Sequence, residues 1–300
     1  MNTSLSFLAT DSRQLPKPGA YGNNAVEAVI FQREHLDDAW KSAWDNTAKA
    51  VSLYGNRFVT FHFPMNDCDF VDNPEIFQRL CEAYRRASDL GLSGLVVHSN
   101  KIKTVKEWNR LDIVEERLKV VDALMKVCSK VETKGTWLGL ENMPLIGNEG
   151  YELDPLFCFA EDFKVLPDEI SIVWDVCHAV SSIMYTKLLD ESSDFSGLRL
   201  RPARPKDFDF KIALPSIRHW HFASFRGVNN PVRGTSCFEG VLPSEGTPDP
   251  KIFEDILGII KSSSATDTNV NFEVQENDYS NRRRGPEIIE WAKQILGNDS

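Results

Sequence analysis

The chain has 300 residues, 42% of them hydrophobic and 26% charged, a balance that supports a sizeable buried core and excludes an intrinsically disordered chain. A net charge of −10 with a pI near 5.2 disfavours a nucleic-acid partner, because an acidic surface repels a phosphate backbone unless basic residues are strongly clustered. No apolar run approaches the roughly 18 residues of a membrane span, and Met1 to Thr10 lacks the basic region and long apolar stretch of a signal peptide, so a cytoplasmic protein with no membrane partner is expected.

Eight short apolar, β-branched or aromatic runs follow one another along the chain: Ser4 to Ala9, Val26 to Gln32, Arg57 to His62, Gly94 to His98, Thr136 to Glu141, Glu169 to Asp175, Arg218 to Ala223 and Asn269 to Glu273. Most are followed by a segment of helical period, the pattern of repeated βα units around a parallel sheet. Between the third and fourth runs, Asn73 and Pro74 open a helix whose apolar stripe is Phe77, Leu80, Cys81 and Tyr84, and Gly91 ends it. After the fourth, Trp108 to Lys130 reads as one long helix, with Leu111, Val114, Leu118, Val121, Met125 and Cys128 as its buried stripe. The last helix runs from Pro286 to Gly297. Length alone would allow two domains, but α/β barrels of this size form one, and no linker divides the chain. The expected architecture is therefore a (β/α)8 TIM barrel as a single domain over 1–300. Mouth-side loop segments lie near 198–211 and 227–246 and are candidates for shaping specificity.

Ionisable residues fall at the ends of these strands. His62 closes F-V-T-F-H, His98 closes L-V-V-H, Glu141 closes W-L-G-L-E, Asp175 closes I-V-W-D, His221 lies in R-H-W-H-F-A, and Glu273 closes V-N-F-E. Burying such a group unpaired costs several kcal/mol, so six in eight strands need a common cause. In a parallel barrel every strand finishes on the same rim, which brings three histidines and three carboxylates to one place. Carboxylates so crowded repel one another without a cation, and a nitrogen and oxygen donor set lacking thiolates suits one or two divalent ions, Zn, Mn, Fe or Co. His178, three residues after Asp175, is a further candidate. The six cysteines include no C-x-x-C pair and read as reduced and mostly buried.

The motifs V-T-F-H-F-P, V-V-H-S, G-L-E-N, W-D-V-C-H, H-F-A-S, P-S-E-G-T-P-D and N-F-E-V, in this order, resemble the xylose-isomerase-like TIM-barrel superfamily of sugar isomerases, epimerases and endonuclease IV-type nucleases. The resemblance implies a shared metal position at Glu141, Asp175, His221 and Glu273, and a second at His62 and His98 with Glu141 bridging. It also implies that a third nuclease metal would need His178 and an Asp-x-His pair, where this chain has Phe238-Glu239-Gly240. The expected activity is a metal-dependent isomerase or epimerase acting on a sugar-like small molecule, with Glu141 and Glu273 as general base and acid and His178 orienting a substrate hydroxyl. The alternatives are a metal-dependent phosphodiesterase or abasic-site endonuclease, or a barrel that binds a metal and small molecule without turnover.

Each residue has a plainer reading. Asp175 alone would cap the next helix, and His62 and His98 would be hydrogen-bonded wall residues. His219 shares a strand face with His221 and could be the ligand in its place. Glu245 reads as a turn residue, and Arg282-Arg283-Arg284 as a solvated start to the last helix or a site for a sugar phosphate. Trp137, Trp174 and Trp220 are assigned to packing.

Overall fold

The computed structural model describes residues 1–146, 152–191, 214–228, 237–263 and 268–297. Eight parallel strands close into a barrel: β1 (Asn2–Leu8), β2 (Ala25–Val29), β3 (Val59–His62), β4 (Gly94–Val97), β5 (Trp137–Glu141), β6 (Ile170–Asp175), β7 (Ile217–Phe222) and β8 (Asn269–Phe272). Each pairs with its neighbours in sequence, and β8 pairs back onto β1. Six full helices lie among the described residues: α1 (Trp40–Tyr54), α2 (Pro74–Leu90), α3 (Ile113–Lys130), α4 (Val176–Glu191), α5 (Pro250–Ser263) and α6 (Arg284–Leu296). Among the described residues, the helical parts of the β1–β2 and β5–β6 connections are the short 3-10 turns Ser12–Gln14 and Ala160–Val165. This is the (β/α)8 architecture expected from the alternation of strand and helix periods.

Local chemistry sets the helix limits. The Asn73 side chain accepts from the backbone N–H groups of Glu75 and Ile76, Pro74 sits in the first turn, and Gly91 closes α2 in the left-handed region at φ 69°. Ile76, Leu80, Ala83, Tyr84 and Ala87 form its buried face. The long helix expected from Trp108 to Lys130 is instead broken. A single turn, Val105–Trp108, precedes α3, which starts only after Asp112, whose carboxylate accepts from the N–H groups of Val114 and Glu115. The expected stripe is also offset: Val114 and Leu118 are exposed, and Val120, Ala123, Leu124 and Val127 face the barrel. Two apolar rows run along this helix, and Val121, Met125 and Cys128 of the expected stripe still pack against the core from its edge.

The bottom of the barrel is filled by Trp137. An added Cβ at Gly94 would lie 2.1 Å from its ring, and one at Gly139 would lie 2.8 Å from it, so both glycines make room for the indole. Trp174 and Trp220 point outward into the core beneath the helices, each 2% exposed. None of the six cysteines is in a disulfide, and all but Cys128 are buried. The segment 198–211 lies outside the described residues, as do 229–236 of the second loop. The rest of that loop forms a ribbon in which Phe238–Val241 pairs antiparallel with Ser224–Arg226. No described helix is long and apolar enough to cross a membrane.

Candidate metal centre

Glu141, at the end of β5 and 1% exposed, is the hub of the mouth. Its Oε2 stands 3.0 Å from His62 Nε2 and 3.2 Å from His98 Nε2. Its Oε1 stands 3.2 Å from His221 Nδ1 and 3.5 Å from His178 Nδ1. Glu273, one residue past β8, brings Oε2 to within 3.5 Å of the same His221 nitrogen. Asp175 ends β6 in register with His221 on β7, and its Oδ1 accepts from the His178 backbone N–H at 2.6 Å. Asp175 is thus both a helix cap and a member of the cluster. The structure therefore brings together all seven residues singled out from strand ends and the W-D-V-C-H turn: His62, His98, Glu141, Asp175, His178, His221 and Glu273.

Three overlapping triads each offer ligand atoms within 4.8 Å of one another: His62, Glu141 and His221; Glu141, Asp175 and His178; and Asp175, His221 and Glu273. The hydrogen bonds around them test whether a cation fits. His62 Nδ1 lies 2.7 Å from the Phe63 carbonyl and His178 Nδ1 lies 2.8 Å from the Asn142 carbonyl. A carbonyl only accepts, so each Nδ1 carries a proton and each Nε2 is left for another partner. The His62 Nε2 lone pair then meets a carboxylate oxygen that is also an acceptor. His98 Nε2 and both nitrogens of His221 are buried without a directed hydrogen bond. Extra protons or a cation must stand among these atoms, and the donor set suits a divalent ion.

The electrostatics point the same way. Burial, reinforced by Glu27, Glu141 and Asp175 nearby, pushes the Glu273 carboxyl up to about 7 against the pull of His221. Burial likewise pushes Asp175 up to about 6, with Glu141 adding to it and His178 opposing. Glu141 is equally buried, yet His221 and His98 outweigh that and hold it well below the usual carboxylate range. Burial pushes His98 down to about 4. Asn142 fastens β5 to β6 here, accepting from the Asp175 N–H at 2.6 Å and donating to the Asp175 carbonyl at 3.0 Å.

His219 does not join the mouth. It is fully buried one layer lower, 2.9 Å from Glu27 and with its ring 5.8 Å from that of Trp137. The Asp-x-His pair is absent, but Glu239 on the mouth ribbon takes a related place, with Oε2 3.8 Å from His178 Nε2. Glu245 ends a 3-10 turn and pairs with Arg226 and Arg284. Arg282 is not a solvated helix-face residue: it is 5% exposed and donates to the carbonyls of Ser6, Gln14 and Tyr279. A buried pair at the wall of the mouth also lay outside the strand-end pattern. Lys101 reaches Asp69 at 2.9 Å and Asp72, and Asp154 accepts from Ser99 Oγ at 2.5 Å.

Known structures share the whole barrel. A D-tagatose 3-epimerase-like protein aligns with a TM-score of 0.62 at 16% identity, covering 99% of this chain and 98% of its own. A protein from Thermus thermophilus soaked with zinc chloride aligns with a TM-score of 0.62 at 18% identity, covering 100% and 99%. Endonuclease IV from the same organism aligns with a TM-score of 0.55 at 13% identity, covering 99% and 97%. At these identities the likeness is one of fold. No curated protein sequence matches closely enough to count as a relative. The family model described as xylose isomerase-like TIM barrel matches residues 20–295, and the chain belongs to that family.

Proposed function

We propose that the chain is a divalent-metal-dependent isomerase or epimerase of a sugar or sugar-like small molecule, in which a proton passes between Glu141 and Glu273. One observation carries this reading: both carboxylates approach a single ligand nitrogen, His221 Nδ1, at 3.2 and 3.5 Å. Their environments are pushed apart, Glu141 held low by the histidines around it and Glu273 raised to about 7 by burial. Such a split suits two carboxylates that exchange one proton, Glu141 as the base and Glu273 as the acid.

Glu141, Asp175, His221 and Glu273 would hold the ion, which when bound would polarise a substrate carbonyl and acidify the neighbouring carbon. His178, anchored through Nδ1 on the Asn142 carbonyl, presents Nε2 to orient a substrate hydroxyl, with Glu239 on its far side. Burial of His62, Glu141 and Asp175 keeps water away from the transferred proton. The test is solvent exchange. Purified protein with Mn²⁺ and a panel of ketoses in D2O should place deuterium beside the carbonyl of at least one sugar, and a silent panel would sink the proposal.

A second reading is favoured by one feature, the pairing of His62 and His98 on the same oxygen of Glu141, which offers a place for a second ion. Two ions suit phosphodiester hydrolysis. Nicking of abasic duplex DNA, abolished by EDTA, would select it over the isomerase, although the net charge of −10 weighs against a DNA substrate.

A further inference from the structure

Beneath the mouth lies a second polar cluster that the chemistry above leaves unused. Glu27, in the middle of β2, is fully buried inside the barrel, where an unpaired carboxylate would cost several kcal/mol. Four side chains from β3, β7 and β8 surround it. Thr60 Oγ1 donates to Oε2 at 2.8 Å, and Asn271 Nδ2 donates to Oε1 at 3.0 Å. His219 Nε2 stands 2.9 Å from Oε2, and His221 Nε2 stands 3.1 Å from Oε1. The two histidine contacts are bent, neither nitrogen being aimed straight at its oxygen. A carboxylate offers about four lone-pair sites. Thr60 and Asn271 take two of these sites by directed hydrogen bonds and the two imidazoles lie against the others, so Glu27 is already surrounded by polar side chains, although Glu27, His219 and His221 are also close enough together to suggest an ion.

His221 connects this cluster to the mouth. Its Nε2 faces inward to Glu27, and its Nδ1 faces outward to Glu141 and Glu273. A neutral imidazole has one N–H and one lone pair, and a carboxylate behind Nε2 favours the tautomer with the proton there. The Nδ1 lone pair is then directed at the mouth, and the negative charge behind the ring makes it a stronger donor. We propose that Glu27 is a positioning residue: from inside the barrel it fixes His221 with Nε2–H inward and Nδ1 free for the cation. This rests on the metal-dependent reading above.

The test is a double-mutant cycle on zinc affinity, measured on the full chain by competition with a chromophoric chelator. Glu27→Gln keeps the side-chain shape but removes the charge and turns an N–H toward one histidine. It is expected to weaken zinc binding by about 10–100-fold, the range of an outer partner to a ligand histidine. In a His221→Gln background the same change should have almost no effect. An equal loss in both backgrounds, no loss in either, or the loss of one bound zinc with the remaining affinity unchanged would each overturn the proposal, the last in favour of an inner ion. Should His221→Gln bind too weakly to measure, the Co²⁺ absorption spectrum of Glu27→Gln decides: shifted bands support the proposal and wild-type bands overturn it. Glu27→Asp runs the same measurements where the amide variant does not fold. A wild-type chain that binds no divalent ion overturns the metal-dependent reading itself, an outcome distinct from all of these.

Discussion

At the bottom of the barrel an indole lies against two glycines, whereas at the mouth four histidines and two further carboxylates crowd around Glu141. The bottom is held by contact, with Trp137 filling the space that Gly94 and Gly139 leave open. The mouth pays for its chemistry with charges taken out of water and nitrogens lacking a directed partner. His219 lies between them, its ring beside Trp137 and its Nε2 beside Glu27. The contrast sets a packed end against a polar, charged one, and the proposed chemistry falls on the end where parallel strands finish.

The largest effect should come from the mouth. Glu273→Gln is expected to lower kcat by about 10²–10⁴-fold, the contribution of a general acid or base, with the melting temperature of the protein little changed; unchanged turnover would remove Glu273 from the chemistry. At the bottom the pattern should reverse. Gly94→Ala drives a methyl into the Trp137 ring and should cost about 1–3 kcal/mol of unfolding free energy, read by denaturant titration, while zinc affinity stays at the wild-type value. An affinity loss larger than the stability loss would show that the two ends are not separable.

Protons sharpen the same comparison. A cation binds the ionised carboxylates, and burial has raised Glu273 to about 7 and Asp175 to about 6. Zinc affinity should therefore fall as pH drops from 8 to 6, by up to about tenfold per unit for each competing proton, with protons released on binding. For folding the sign is opposite. A raised carboxyl favours the metal-free fold below its unfolded value, and that contribution is lost as pH rises through about 7. A pH-independent zinc affinity would contradict this assignment. The smallest effect is on the outer surface of α3, where Leu118→Gln should change stability by no more than about 0.5 kcal/mol because Leu118 is 50% exposed.

That helix also marks where periodicity alone falls short. Leu111, Val114 and Leu118 repeat at helical spacing as well as Val120, Leu124 and Val127 do, and only packing against the barrel chooses between the rows. The eight strands, by contrast, were legible within one to three residues, since buried parallel strands must be nearly continuous apolar runs. The mouth residues were legible for a related reason: a charge at the end of such a run stands out. Glu27 escaped because it lies inside A-V-E-A-V, where the eye for strand ends passes over it, although a carboxylate in mid-run is the stronger anomaly. Glu239 and Asn271 carried no spacing signal; their partners are distant in sequence and meet them only once the barrel closes.

The central claim is that Glu141 is the common ligand of the mouth. Zinc-saturated, desalted protein should be assayed by elemental analysis for metal per chain in the wild type, in Glu141→Ala and in His98→Ala. The account predicts one or two ions in the wild type, none in Glu141→Ala, and retention in His98→Ala of the ion held by Asp175, His221, Glu273 and Glu141. A Glu141→Ala chain that keeps the wild-type metal content would contradict it.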